Sequence, residues 1–246
     1  MQWSDEALVL GSRKHGESAV VLELMTRAHG RHLGLVHGGR SKRLSPVLQP
    51  GNTVHAVWRA RLDEHLGVFT VEAGEMRSAR MIASRLALHG VGAMAALLRL
   101  VPERDPHPTL FDLAAALSDH LDDPDVAPAL FARFELALLS ELGFGLDLSE
   151  CAATGARHDL AFVSPKSGRA VSRAAGEPYR DRLFALPAFM QGEFQEGPGL
   201  EEIRAGFALT EFFLRTHLFE PRGLPVPDER ARFVALSTRN GSAAPK

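Results

Sequence analysis

Gly34, Gly39, Arg40 and Ser41 spell the phosphate loop G-x-x-x-x-G-K-[ST] in all but one residue, with Arg40 where the lysine belongs. Such a loop holds phosphates only if a helix starts at its basic end, because the helix N-terminus supplies the amides and the dipole. Here Pro46 and Pro50 follow within LSPVLQPG, a stretch that cannot carry a full helix. The spacing therefore argues against a nucleotide cradle. It predicts a glycine-rich basic loop whose Arg40, Lys42 and Arg43 grip phosphates of another kind, those of a nucleic-acid backbone.

The charge pattern supports that chemistry. The chain of 246 residues has a net charge of −2, yet no acid lies between Glu23 and Asp63. That stretch carries Arg27, Arg31, Arg40, Lys42, Arg43, Arg59 and Arg61 with four histidines. A local basic field on a nearly neutral protein suggests a polyanion site; the bland alternative is a run of solvated surface charge. Enzyme chemistry finds no comparable support. There is no H-E-x-x-H, no G-x-S-x-G and no clearly spaced carboxylate pair, and the eleven histidines are scattered. One cysteine, Cys151, excludes an internal disulfide framework. MQWSDEALVL lacks the basic start of a signal peptide, and no apolar run reaches the ~18 residues of a membrane span. A cytoplasmic protein with no membrane contact is expected.

Positioning that loop falls to short strands. EALVL, SAVVLELM, RHLGLVH, TVHAVWRARL and GVFTVEA are β-rich and separated by turn formers, enough for a small closed barrel. In the fourth, Val54, Ala56, Trp58, Ala60 and Leu62 alternate with His55, Val57, Arg59 and Arg61, which sets Trp58 in the core rather than under a base. From Ser78 the period becomes helical. SARMIASRLALHGVGAMAALLRLV reads as one helix stopped by Pro102, and TLFDLAAALSDHL as a second with Thr109 as N-cap and Asp112 at the capping-box position. PALFARFELALLSELGFG ends at Gly143, and GLEEIRAGFALTEFFLRTHLF at Pro221, with Ile203, Phe207, Leu214 and Leu218 at helical spacing.

GGRSKR and LQPG after two strands, then FELALLSELGFGLDLSECAATG, then FVSPKSGRAVS, jointly resemble the RecO family of bacterial recombination mediators, from about Trp3 to Pro221. The resemblance implies an α+β, multidomain protein. An OB-fold β-barrel that binds DNA would span residues 1–78. A helical domain would follow over 79–149 and 179–236, interrupted by a zinc-finger-like insert over 150–178, with a disordered tail over 237–246. It implies binding of single- and double-stranded DNA and annealing of complementary strands, without catalysis and without a cofactor. The implied partners are RecR and the C-terminal tail of the single-stranded DNA-binding protein SSB, with RecA loaded indirectly on DNA of the nucleoid. DNA-binding residues are expected to be Arg31, Arg40, Lys42, Arg43, Arg59 and Arg61. An acidic tail ending in Phe needs an apolar slot and a cation, for which Arg133 beside Phe134, or Arg99, is the candidate. The insert departs from the family: where relatives carry C-x-x-C pairs, this chain has Cys151, Thr154, Ser172 and Ala175, so no metal is expected. A basic barrel alone would equally suit an RNA- or ribosome-associated protein.

Overall fold

The computed structural model describes residues 1–192 and 197–239, in two compact units, Met1–Asp122 and Asp123–Lys246. The tail expected from 237 falls outside the described residues from 240 onward. In the first unit, strands β1 (Gln2–His15), β2 (Ala19–Thr26), β3 (Gly30–Val36), β4 (Thr53–Arg59) and β5 (Val68–Ala73) close a barrel in the order β1-β2-β3-β5-β4. In a closed barrel every strand pairs with two neighbours, and a long strand can pair with them in succession. β1 does so over 14 residues: its first half pairs with β4 and its second with β2, and a bulge between Val9 and Gly11 bends it from one to the other. Parallel pairing of Leu35 with Val68 seals the far seam. Alternate residues Val9, Leu22, Leu24, Val54, Trp58 and Phe69 fill the interior.

The fourth strand stops at Arg59, short of the expected Leu62. The Trp58 indole donates to the Leu66 carbonyl (3.1 Å), and Arg104 donates to the carbonyls of Asp63 and His65, so the chain turns there instead of extending. The expected first helix is two: α1 (Ser78–Ala83) and α2 (Arg85–Leu98). Ser84 between them is extended, and its hydroxyl accepts from the Ala87 amide, a serine N-cap that competes with helix continuation. α3 (Pro108–His120) begins one residue before the expected Thr109 cap, because Pro108 has no amide to satisfy at the first turn. Asp112 turns outward to Arg27 (2.7 Å) rather than back to a cap.

The second unit contains α4 (Ala127–Glu141), which precedes Gly143 as its sequence indicates. A three-stranded sheet in the order β7-β6-β8 follows, from β6 (Leu160–Val163), β7 (Ala170–Ser172) and β8 (Phe184–Ala185), with a one-turn α5 (Arg173–Gly176) after β7. α6 (Leu200–Leu214) buries Ile203, Phe207 and Leu214, and a π turn over Arg215–Phe219 carries Leu218 inward. α7 (Asp228–Ser237) inserts Arg230 against Glu135 of α4, both buried.

Candidate nucleic-acid interface

The stretch after β3 runs as successive turns from His37 to Gly51 and forms no helix. Its glycines serve the barrel. A Cβ on Gly34 would strike the Phe69 ring, and one on Gly39 would meet the Val20 side chain at 2.5 Å. Leu48, within the same turns, plugs the barrel interior. The buried Asn52 closes the segment: its amide donates to the carbonyls of Pro46 (2.8 Å) and Val47 (3.2 Å), while its oxygen accepts from the amides of Arg77 and Ser78. The loop is thus held from behind, and its cations are carried on a fixed frame.

Arg40 defines where that frame points. Its amide donates to the Ser18 carbonyl (3.1 Å), and its guanidinium donates to the carbonyls of Glu17 (2.5 Å) and Gly16 (3.5 Å). Arg40 is thereby fastened to the β1–β2 turn. Arg13 and Lys14 end β1 beside that turn and are exposed, as are Lys42 and Arg43 of the loop. Among the described residues none of these five cations has a carboxylate partner. Arg13 and Lys14 escape notice in the sequence because Glu17 follows them closely; the exposed run SRKHGES between two apolar strands was the available signal.

The other expected cations divide. Arg61 lies in the β4–β5 connection, exposed. Arg59 points outward from β4 and donates to the Gln2 side-chain oxygen (2.9 Å), on a face that also carries Glu6, His55 and Glu72. Arg31 is already engaged: it contacts Glu23 (2.9 Å) and Glu103 (3.5 Å) and donates to the Val101 carbonyl (3.2 Å). Arg99, at the end of α2, lies against the outer face of the barrel in the first unit, whereas Arg133 and Phe134 are in the second. Phe134 is 1% exposed and packs its edge on Phe131 (5.9 Å), so its ring is a core element with no surface to offer a ligand.

In the insert, the Cys151 thiol is buried and accepts from the Ser172 amide (3.2 Å). Burial pushes this thiol up, but hydrogen bonds from Ser172, Thr154 and Ala153 outweigh it and bring it down to about 6. Cys151, Thr154 and Ser172, three of the four positions at which the sequence resemblance would place C-x-x-C thiols, thus meet through hydrogen bonds around one sulfur. No group of three metal-ligating side chains occurs among the described residues. Nor is any helix among them long and apolar enough to cross a membrane.

A five-stranded OB-type barrel bearing a basic turn cluster, followed by a helical unit with a small inserted sheet, defines the class of this protein. Residues 1–77 match the description "Recombination protein O N terminal", and residues 84–224 match "Recombination protein O C terminal". The chain is 63% identical to the DNA repair protein RecO of Methylobacterium nodulans, over 97% of this chain and 98% of that one. It is 61% identical to that of Methylorubrum populi, over 97% and 99%, and 56% identical to that of a Chelativorans species over the full length of both. The chain belongs to the RecO family.

Proposed function

We propose that this protein acts in DNA repair by binding DNA backbones through the basic cluster at one end of its barrel, without catalysing bond cleavage. The observation that carries this reading is the tethering of Arg40 to the β1–β2 turn, which fixes the loop bearing Arg40, Lys42 and Arg43 beside the strand end that bears Arg13 and Lys14, all five exposed and none paired with a carboxylate among the described residues. Phosphate contacts of this kind give affinity and leave base edges unoccupied, so a held strand can still pair. That property suits annealing of complementary strands. Membership of the family supports the finer steps of this reading: cooperation with RecR, contact with the acidic SSB tail, and RecA loading on SSB-coated DNA. The expected cations Arg59 and Arg61 extend the patch along the β4 end.

Arg40→Glu with Arg43→Glu is expected to weaken binding with little dependence on sequence, and each lost phosphate contact flattens the salt slope by roughly 0.7 to 0.9. Fluorescence anisotropy with single- and double-stranded oligonucleotides over a salt series measures both. Unchanged affinity and slope would remove the loop from the site, and a strong preference for RNA would select a ribosome-associated role instead.

A further inference from the structure

The outer face of β1, β2 and β3 carries a groove of about 360 Å³ with an apolar floor of Val21 and Leu33 and two arginines, Arg13 and Arg99, at its sides. One acid stands in it. Glu23 projects from β2, opposite Gly11 on β1 and Leu33 on β3. Its carboxylate is 14% exposed and both oxygens are taken: Oε1 by Arg31 (2.9 Å), Oε2 by the Arg99 Nε (2.8 Å). The two arginines are held unequally. Arg31 is 13% exposed and has further contacts to Val101 and Glu103. Arg99 is 44% exposed, and among the described residues its guanidinium has, beyond Glu23, one further bond, to the Leu10 carbonyl (3.3 Å). The β1 bulge makes that seat: the register slips between Val9 and Gly11, and a Cβ at Gly11 would stand 3.0 Å from the Arg99 guanidinium.

A carboxylate and a phosphodiester present the same feature to a guanidinium, one negative charge spread over two acceptor oxygens. We infer that Glu23 is a resident stand-in for a DNA phosphate on Arg99, and that a strand entering this groove must take Arg99 from it. The inference rests on the DNA-binding reading of the barrel. Arg31 stays as the fixed counter-charge that keeps Glu23 in place, and Arg99 is the arm that exchanges. The consequence is a grip that the groove itself keeps loose: every strand competes with an acid that never diffuses away. An annealing protein needs that looseness, because a strand bound too tightly is not released into a duplex.

Glu23→Gln keeps the shape and removes the competing charge. Its Kd for a fluorescein-labelled oligothymidylate is expected to fall, and its salt slope to steepen by about 0.7; one added single-strand contact corresponds to roughly fivefold at 0.1 M salt. Arg99→Met, at a surface position, is expected to weaken binding and flatten the slope. The double variant is expected to behave like Arg99→Met alone; a gain of affinity that persists in it would run through Arg31, the other guanidinium on Glu23, and would overturn the exchange at Arg99. All are measured on the full chain by anisotropy, with melting temperatures alongside. If Glu23 serves only to pack the segment after α2, Glu23→Gln lowers the melting temperature and leaves Kd and slope unchanged or weaker, and the inference is overturned. Should Glu23→Gln fail to fold, Arg99→Met still decides: unchanged affinity there removes Arg99 as a phosphate ligand. If the Arg40/Arg43 variant loses DNA while these variants do not respond, the barrel reading stands and this inference falls. If none responds, both fall.

Discussion

His32 is the one histidine of the acid-free stretch that is both buried, at 5% exposed, and perturbed. Its ring meets the edges of Trp3 and Trp58, and its Nδ1 lies 3.1 Å from the His29 carbonyl. Burial holds the imidazole below its ordinary 6.5; Arg104 adds to the shift and the His29 carbonyl partly offsets it. The unfolded chain therefore takes up this proton at a higher pH than the native barrel does. Stability from His32 is complete above about 6.5 and is lost as pH falls through the lowered value. Thermal melts between neutral and mildly acidic pH should show a falling midpoint, and His32→Phe should lose part of that slope. A variant slope equal to that of the unaltered chain would mean the titrating group lies elsewhere. The sequence offered His32 only as one of four histidines in a basic run, since nothing in its neighbours says which way β3 faces.

Among the elements, the helices of the second unit depend on a charge that nothing in the sequence singles out. Arg230 of α7 and Glu135 of α4 are 1% and 0% exposed in their side chains, joined by bonds of 2.6 and 3.0 Å. Thr210 of α6 donates to the same carboxylate (2.5 Å), and Glu211 contacts Arg230 (3.1 Å). Three helices thus meet at one satisfied polar network. Removing one partner strands the other in the core, so Arg230→Met should cost about 3–5 kcal/mol of stability, read from urea unfolding. The joint change Glu135→Leu with Arg230→Met should regain most of the loss. A single variant as stable as the parent would show the pair to be dispensable. Glu135 follows Phe134 in an amphipathic run, and the helical period alone does not distinguish a buried acid from a solvated one.

Across the molecule, the barrel and helices α1–α3 are fastened by residues distant in sequence. Asn52 binds the amides of Arg77 and Ser78, Arg77 pairs with Asp119 (2.6 Å), Arg80 with Asp122 (3.2 Å), and Arg31 reaches Val101. A fragment of residues 1–80 keeps the Asn52 bonds but leaves the guanidiniums of the buried Arg77 and the partly buried Arg31 without Asp119, Val101 and Glu103, each open group costing about 1–3 kcal/mol. A fragment of residues 1–122 should therefore melt cooperatively and bind DNA, whereas one of residues 1–80 should not hold a stable fold. Calorimetry on the two fragments tests this, and a cooperative transition in the shorter one would refute it. We further expect the 1–122 fragment to fail in annealing SSB-coated strands, with the second unit required for that step.

The barrel, the family and the basic loop were all legible in the order of the residues. Alternation in VHAVWRARL, the turn formers between strands and the absence of acids from Glu23 to Asp63 are local features, and local features survive reading in one dimension. The phosphate loop could be excluded in the same way, since Pro46 and Pro50 forbid the helix whatever the rest of the chain does. Which cations are free was legible only in the folded chain. Arg31, Arg40 and Arg99 look alike as letters. Yet Arg31 is bound to Glu23 and Glu103, Arg40 is fastened to the β1–β2 turn, and Arg99 shares a carboxylate with Arg31. A charge is occupied or available according to what stands within a few ångströms of it, and those neighbours stand up to 89 positions away in the chain.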